Sequence, residues 1–397
     1  MKARPRAVIV SAVRTPIGSF NGVFRSIPAP KLGSIAIGAA LKRIDLPGDS
    51  VDEVIMGCVL TAGLGQALAR QASIGAGLPN SVGATTVNKV CGSSLKSVTM
   101  AAQAIGMGDA QIVVAGGMES MSRAPYLLER AWHDNRAGHI ELPDSLIKDG
   151  VWDVYNNSHM GNIAERCAAK YELTRVEVDD FALESYRRAR KAITTGIFKR
   201  EIVSVDTSHG NHQPMFVADD EEPNRVDLSR MRSLSPAFQE DGVLTAGNSS
   251  SFNDGAAALV VMAEDQANML GFKPLARIAG YAEVAIAPEW FTLAPVEAIR
   301  RVLKLTGLSI ADIDLFEINE AFSAMSLAVN RELGLDPSKV NVNGGAVALG
   351  HPIGATGSRI LTTLVYALEV RGARRGLVST CIGGGEALAI VVERCNG

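Results

Sequence analysis

The stretch TTVNKVCGSSLKS, residues 85–97, places a cysteine where a predicted strand turns into a predicted helix. Its opening β-branched residues favour a strand, and residues 95–105 favour a helix. Gly92 lets the backbone approach a ligand closely, and the free N–H groups at a helix start stabilise a thiolate such as that of Cys91. Cysteine is equally typical of a small buried hydrophobic residue, so this stretch alone leaves both roles open.

The pattern around this turn occurs twice along the chain. Apolar segments at 51–57 and 111–117 flank the cysteine turn, and segments at 313–319 and 376–385 flank a second, glycine-rich turn at 344–357. Strands this apolar on both faces belong in a buried sheet covered by helices, which predicts an α/β unit in each half. Two matching halves imply a pseudo-twofold relation, with strand ends that face one shared crevice.

Residues 120–248 interrupt the repeat with a stretch rich in charge, His and Trp. We therefore predict a discontinuous N-terminal α/β half formed by residues 1–119 and 249–270. Residues 120–248 form an inserted loop domain, and residues 271–397 form the C-terminal α/β half.

Composition excludes several classes of function. The chain has 397 residues, of which 47% are hydrophobic and 20% charged, a balance typical of soluble globular proteins. The net charge of −3 provides no basic field for nucleic acid, and no apolar run reaches the roughly 18 residues of a membrane span. The five cysteines are scattered without a CxxC pair, which argues against a metal site or a disulfide framework. We expect a cytoplasmic protein without nucleic-acid or membrane partners.

Three further positions place reactive or hydrogen-bonding side chains at predicted strand ends. His351 lies in a glycine-rich turn before a proline, and a neutral imidazole near a thiol is a common activating base. Cys381 is followed, after one residue, by three glycines that begin at Gly383. The N–H groups of these glycines are free to bind an oxyanion. Asn319 follows a predicted strand at 315–318 and can donate to an oxyanion directly or through a water.

Each of these positions also has an ordinary structural explanation. The histidine is typical of a core or capping residue, the glycines of a tight turn, and Asn319 of a helix N-cap. The repeat favours the functional explanation, because it brings all these strand ends to one crevice.

With these residues, the chain resembles the thiolase family, and within that family it is most similar to the biosynthetic type. The resemblance covers essentially the whole chain. The matching stretches are VNKVCGSSLKS, GGMESMSRAPY, DGVWDVYNNSHMGNIAE, TAGNSSSFNDGAAA, EINEAF, NVNGGAVALGHPIGATG and CIGGGEALA. It implies an α/β fold of two βαβαβ halves in an α/β/α/β/α layer order, with the inserted loop domain.

The resemblance also implies an activity, which is the condensation of two acetyl-CoA molecules to acetoacetyl-CoA and CoA, and its reversal. The resemblance implies that Cys91 is acylated by the first acetyl-CoA and that His351 accepts the proton of the Cys91 thiol. It also implies that Cys381 removes a proton from the second acetyl-CoA. The resemblance implies two oxyanion holes. The first consists of His351 and a water held by Asn319, and the second consists of the N–H groups of Cys91 and Gly383. Coenzyme A is a substrate and product, and no cofactor or metal is implied.

Substrate-binding residues are likewise implied by the resemblance. Ser250 is expected to bond the pantetheine arm and Phe238 to pack beside it. A methionine at Met160 is expected to close the pocket around small acyl groups. The full expected set is Ser250, Phe238, His159, Met160, Phe291 and Phe322.

Other positions depart from the family or align poorly. Phe291 stands where many biosynthetic members have Met, which bears on acyl length and branching, and Ser94 replaces a usual glycine, with little expected effect. Arg225 is the candidate for the nucleotide phosphates. Residues 129–144 resemble the family's tetramerisation loop, so we expect a homotetramer built from two dimers.

Three alternatives are considered. A degradative 3-ketoacyl-CoA thiolase with broader chain length shares every catalytic residue. A non-catalytic acyl-CoA-binding protein could lack the nucleophile or the base, and the presence of all three reactive side chains argues against it. A dinucleotide-binding oxidoreductase is excluded, because Leu68 stands where the fingerprint beginning at Gly63 needs its third glycine.

Overall fold

The computed structural model describes residues 5–128, 141–208 and 215–395. Its β-strands, named in chain order, are β1 (Ala7–Arg14), β2 (Gly18–Ser19), β3 (Glu53–Gly57), β4 (Gly83–Val87), β5 (Ile112–Ser120), β6 (Trp152–Asp153), β7 (Ser158–His159), β8 (Val205–Asp206), β9 (Phe216–Val217), β10 (Asn253–Ala263), β11 (Ala276–Ala285), β12 (Leu315–Ile318), β13 (Arg375–Ile382) and β14 (Glu386–Arg394).

The α-helices are α1 (Ala29–Lys42), α2 (Leu68–Gly75), α3 (Ser93–Met107), α4 (Met160–Lys170), α5 (Arg175–Thr194), α6 (Glu222–Arg225), α7 (Glu264–Met269), α8 (Ala294–Thr306), α9 (Ser323–Leu333), α10 (Ala346–Leu349) and α11 (Thr356–Val370). Within the described ranges, none of them is long and apolar enough to cross a membrane.

The main sheet shows the internal repeat directly. Its strand order is β12-β13-β14-β11-β1-β10-β5-β3-β4. From the β4 edge inward, two parallel pairings precede two antiparallel ones. From the other edge, β12 and β13 pair in parallel, followed by the same two antiparallel pairings. A single parallel bridge between Phe316 and Val340 stands where the first half has β4.

Hydrogen bonds connect the strands of the two halves, so the two β layers of the predicted order are joined to each other at one junction. The junction is short, because β1 and β11 pair only at Val8 with Arg277 and at Ile9 with Ala276. The repeat is interrupted between β5 and β10, which places the inserted segment in the first half only. The domain boundaries stated above stay a prediction.

Three apolar cores define the layers. Helices α1 and α2 pack on one face of the first half. Helices α3 and α11 lie between the halves and share a core with residues from both, among them Leu95 and Val378. Helix α8 covers the outer face of the second half. The predicted α/β/α/β/α order is therefore confirmed, because alternate residues of each buried strand face different helical layers.

The central helix pair positions the chemistry. Gly357 of α11 packs directly on Leu95 of α3, since a Cβ at Gly357 would lie 2.6 Å from the Leu95 backbone nitrogen. The hydroxyl of Ser94 accepts the N–H of Ser358 at 2.9 Å. Ser94 therefore joins the two helix starts, a role that the sequence analysis did not assign to it.

Candidate active site

The turn before α3 presents Cys91 in a strained conformation. Val90 has φ of +46°, an unusual value for a β-branched residue. Ser93 holds the turn closed, because its hydroxyl accepts the Lys89 N–H at 2.8 Å and donates to the Val90 carbonyl at 2.6 Å. Gly92 packs on Ile382, where a Cβ would lie 2.4 Å from a methyl carbon. The strain and the close packing fix the direction of the Cys91 side chain.

The environment of the Cys91 sulfur differs from the expectation of a helix-stabilised thiolate. Helix α3 begins at Ser93, two residues later, and the N–H groups on the sulfur are those of Gly383 and of Cys91 itself. Burial raises the pKa of the thiol to about 11, and these two N–H groups only partly oppose that rise. At neutral pH Cys91 is therefore a neutral thiol, which requires a base for its activation.

His351 is held as a neutral base by a fixed set of hydrogen bonds. Its Nδ1 lies 2.6 Å from the hydroxyl of Thr356, and that hydroxyl donates to the Pro352 carbonyl at 2.9 Å. The Thr356 oxygen must then accept a hydrogen bond from Nδ1–H, which leaves the lone pair on Nε2. Burial, with a smaller contribution from Arg359, lowers the pKa of His351 to about 3.

The backbone of His351 is also anchored. Its N–H donates to the Asn253 side-chain oxygen at 2.8 Å. Gly350 has φ of +100°, and a Cβ there would lie 2.3 Å from the Asn253 amide, so only glycine fits. Asn253 is fully buried at the start of β10, and it therefore ties the histidine loop to the first half of the fold.

Asn319 joins His351 to Cys381. Its amide nitrogen lies 3.4 Å from Nε2 of His351 and 3.9 Å from the sulfur of Cys381. The predicted strand at 315–318 is confirmed as β12, but the N-cap of α9 is Phe322. Asn319 is thus not a helix cap, and its amide is directed at the two reactive side chains.

Cys381 lies near the end of β13 and is 1% exposed. Burial raises the pKa of its thiol, and the nearby Cys91 raises it further, whereas the Asn319 amide lowers it. The turn after Cys381 requires glycine, because Gly384 and Gly385 have φ of +90° and +85°. This turn brings the N–H of Gly383 to the Cys91 sulfur.

One cavity of about 520 Å³ contains these groups. The predicted residues that line it are Cys91, His351, Cys381, Gly383, Ser250, Phe238, His159, Met160, Phe291 and Phe322. Asn319 lies just behind this surface, in contact with His351 and Cys381. Residues far apart in the sequence therefore meet in one largely apolar pocket with a few polar groups.

The outer part of the cavity is built from stacked rings and a serine turn. The rings of His159 and Phe238 stack at 5.2 Å, and Phe238 meets Phe322 edge-on at 5.8 Å. The Ser250 hydroxyl donates to the Ala321 carbonyl at 2.9 Å. Because its proton is used there, Ser250 is left to accept a hydrogen bond from a ligand N–H.

Two predicted regions lie outside the cavity or outside the described residues. Arg225 does not line the cavity; its guanidinium pairs with Glu221 at 2.9 Å. In the predicted tetramerisation loop, residues 129–140, which include Trp132 and Ile140, lie outside the described residues. Among the described residues, no group of three or more His, Cys, Asp or Glu could hold a metal ion.

Comparison with known proteins identifies the family of the chain. Residues 7–265 match the family model "Thiolase, N-terminal domain" and residues 272–394 match "Thiolase, C-terminal domain". The chain belongs to the thiolase family.

Curated relatives of this thiolase extend over its whole length. The acetyl-CoA acetyltransferase of Schizosaccharomyces pombe is 49% identical, over 97% of this chain and 98% of that protein. The Pseudomonas aeruginosa acetyl-CoA acetyltransferase is 50% identical, over 98% of this chain and 99% of its own length.

Solved thiolase structures share the fold. Acat5 thiolase from Ascaris suum, in complex with coenzyme A, has a TM-score of 0.93 at 44% identity and covers 98% of this chain and 100% of its own. The acetyl-CoA acetyltransferase of Bacillus anthracis has a TM-score of 0.96 at 39% identity, over 99% of this chain and 100% of its own.

Sequence reasoning missed several residues that support the site of this thiolase. Thr356 and Asn253 hold His351, and neither has a chemically conspicuous side chain. Glu119 is fully buried and accepts the N–H groups of Val59, Leu60 and Gly354 at 3.1, 3.1 and 2.9 Å. The signal for Glu119 was present, because a carboxylate within a glycine-rich apolar strand needs an explanation.

Proposed function

We propose that this thiolase is an acetyl-CoA C-acetyltransferase, which condenses two acetyl-CoA molecules to acetoacetyl-CoA and CoA and catalyses the reverse thiolysis. The observation that carries the proposal is the meeting of two thiols and one neutral imidazole in a single cavity. Relatives at about 50% identity that are named acetyl-CoA acetyltransferases support the substrate.

In the first half-reaction, Cys91 attacks the thioester carbonyl of acetyl-CoA. Its proton passes to Nε2 of His351, whose lone pair is free because Nδ1–H bonds to Thr356. The N–H groups of Cys91 and Gly383, which face the sulfur, stabilise the tetrahedral oxyanion. The CoA thiolate leaves, takes the proton from His351, and acetyl-Cys91 remains.

In the second half-reaction, Cys381 gives its proton to His351 and, as a thiolate, removes a proton from the methyl group of a second acetyl-CoA. The enolate oxygen accepts hydrogen bonds from Nε2–H of His351 and from a water held by Asn319. The carbanion attacks acetyl-Cys91, acetoacetyl-CoA forms, and the Cys91 thiolate leaves. The imidazolium returns its proton to a cysteine, so both thiols are restored.

The acyl end of the cavity favours a short chain. Met160 and the buried Phe291 lie in one apolar cluster with Phe322 and Cys381. Phe291 is only 2% exposed, so a longer acyl group would have to displace packed side chains. We therefore propose acetoacetyl-CoA as the preferred 3-ketoacyl substrate.

Further parts of the proposal concern binding and assembly. Ser250 and Phe238 bind the pantetheine arm, and residues 120–248 form the loop domain for CoA binding and oligomerisation. The thiolase acts as a cytoplasmic homotetramer built from two dimers, and it needs no cofactor or metal. The resemblance of residues 129–144 to a tetramerisation loop supports the assembly.

A kinetic panel tests the substrate assignment. Thiolysis of acetoacetyl-CoA is compared with that of longer 3-ketoacyl-CoAs, and condensation of acetyl-CoA is measured beside it. We expect acetoacetyl-CoA to have the highest kcat/KM. A preference of about tenfold or more for a longer substrate, beyond what a single pocket contact supplies, would favour the broader degradative thiolase.

A further inference from the structure

Two buried charged side chains behind the catalytic residues have no hydrogen-bond partner. Arg359 of α11 is 2% exposed and Glu317 of β12 is 1% exposed. Among the described residues, none of the three guanidinium nitrogens and neither carboxylate oxygen has a hydrogen-bond partner, and no ion pair joins the two side chains. Burial of ionised groups is strongly disfavoured unless their hydrogen bonds are satisfied, so both side chains need polar neighbours.

Another buried arginine of the same molecule is paired directly with carboxylates. Arg14 is fully buried, and its guanidinium pairs with Glu201 at 2.6 Å and with Asp220 at 2.7 and 2.9 Å. Direct pairing with carboxylates is therefore available to this fold. The carboxylate with the largest effect on the pKa of Arg359 is that of Glu317, followed by Asp220 and Glu201, yet among the described residues no direct ion pair joins Arg359 to any of them.

Glu317 and Arg359 lie on elements that pack against each other, because α11 contacts both β12 and β13. Glu317 lies two residues after Leu315 and opposite Val378 of β13, and both of those residues belong to the core that includes α11. Thr380 lies two residues after Val378 on the same face, and its hydroxyl is also buried without a partner. Within the described part of the chain, Glu317, Thr380 and Arg359 thus contribute six buried polar atoms without a partner to the interface of β12, β13 and α11, which we call the polar chamber.

The hydrogen-bonding properties of Arg359 and Glu317 determine which small molecule can bind between them. A guanidinium only donates hydrogen bonds and a carboxylate only accepts them. An anion on Arg359 would be repelled by Glu317, and a cation on Glu317 would be repelled by Arg359. Water can accept from the first group and donate to the second, and a buried water of this kind needs two to four polar partners.

The chamber adjoins two residues of the proposed chemistry. Arg359 lies one turn after Thr356 on α11, and Thr356 holds Nδ1 of His351. Glu317 lies two residues before Asn319 on β12, and Asn319 contacts His351 and Cys381. A bridge across the chamber would therefore fix the end of β12 against the start of α11.

We propose that Arg359 and Glu317 enclose a cluster of buried water molecules, and that this hydrated pair positions Asn319 relative to His351. The positioning role rests on the acetyl-transfer chemistry proposed above, whereas the water cluster does not. Arg359 and Glu317 touch no reacting atom and act through the two elements that carry them.

A crystal structure of the unaltered full-length chain, at a resolution that shows ordered water, tests the cluster. We expect water density within hydrogen-bond distance of both the Arg359 guanidinium and the Glu317 carboxylate. A direct ion pair, a dry contact, or a halide on Arg359 revealed by bromide soaking would overturn the proposal. If the chain transferred no acetyl group, the proposed function would fail, and the water density would still be informative.

Kinetics of a double variant, Glu317→Leu with Arg359→Met, test the positioning role. Replacing both charges with apolar groups avoids an unpaired buried charge, so the variant is expected to fold. We expect kcat for condensation to fall about tenfold or more with the KM for acetyl-CoA within about twofold, because alignment is lost while CoA contacts remain.

The control is Glu393→Gln, which removes a directly paired, half-buried carboxylate on β14 and should leave kcat and KM unchanged. An unchanged kcat in the folded double variant would overturn the positioning role. If the double variant does not fold, the variant Glu317→Gln provides the test, because its amide still forms hydrogen bonds to water. A kcat close to that of the unaltered chain would support the water bridge, and a tenfold loss of kcat would oppose it. The crystal structure tests the cluster independently of every variant.

Discussion

Nδ1 of His351 lies 2.6 Å from the hydroxyl of Thr356, and this contact decides which imidazole nitrogen faces the reaction. Because the Thr356 proton is donated to Pro352, the histidine must donate from Nδ1 and keep its lone pair on Nε2. We expect Thr356→Val to lower kcat by roughly tenfold to a hundredfold through loss of this orientation.

The matched control for this variant is Thr356→Ser, which keeps the hydroxyl and should retain most of the activity. Nitrogen NMR of labelled histidine provides the second measurement, because it reports the tautomer directly. Equal activity of the Val and Ser variants, with an unchanged tautomer, would show that Thr356 does not orient His351.

The protonation state of Cys91 predicts a pH dependence. Burial raises the pKa of its thiol to about 11, so the reactive thiolate is scarce at neutral pH. We expect the rate of Cys91 alkylation by iodoacetamide to rise roughly tenfold per pH unit from pH 7 to 9, because the thiolate fraction does.

Peptide mass spectrometry separates Cys91 from the other four cysteines in this experiment. A rate that is already constant near pH 7 would mean that the thiolate is preformed. In that case the helix start, rather than His351, would activate the nucleophile.

Glu119 predicts a pH dependence of stability. Burial raises its pKa from 4.5 to about 7, against the opposing effect of three backbone N–H donors. The folded chain thus binds this proton more tightly than the unfolded chain, and the resulting stabilisation is full below pH 4.5 and is lost as pH rises through 7.

The measurement is the free energy of unfolding in urea at pH 5 and pH 8, for the unaltered chain and for Glu119→Gln. We expect the unaltered chain to lose about 1–3 kcal/mol more than the variant over this range. Parallel losses in the two proteins would mean that Glu119 does not titrate in this way. Glu369→Gln, at an exposed carboxylate, is the control.

The acyl pocket predicts a change of specificity. Phe291 is 2% exposed in the cluster that contains Met160 and Cys381. We expect Phe291→Ala to raise kcat/KM for a longer 3-ketoacyl-CoA relative to acetoacetyl-CoA by about 10-fold or more, since each methylene accommodated in an apolar pocket contributes a factor of about 10. Phe291→Leu, a smaller change, should give an intermediate ratio, and an unchanged ratio in both variants would exclude this residue from chain-length selection.

Much of the fold and of the site was predictable from the sequence, because the repeat is carried by apolar strands whose ends bear glycine. Strand 315–318 has the predicted limits, and the predicted catalytic residues surround one cavity. The supporting contacts were not predictable. The hydrogen bonds of Thr356 and Asn253 to His351 depend on how separate loops pack together. The hydrophobic periodicity of the sequence does not predict how those loops pack.

The same limit explains one correction to the sequence analysis. The pattern placed Cys91 at a helix start, but whether its sulfur is buried depends on residues of the second half, such as Gly383. Arg225 stays the candidate for the nucleotide phosphates, outside the cavity and paired with Glu221.

In the proposed mechanism Cys91 forms an acyl intermediate, which condenses only when Cys381 has removed a proton from the second acetyl-CoA. The most direct measurement is peptide mass spectrometry of the unaltered chain and of Cys381→Ala after incubation with acetyl-CoA. We predict an acetyl group on Cys91 in both proteins, with acetoacetyl-CoA formed only by the unaltered chain. An absence of acetyl-Cys91, or condensation that persists in Cys91→Ala, would contradict the account.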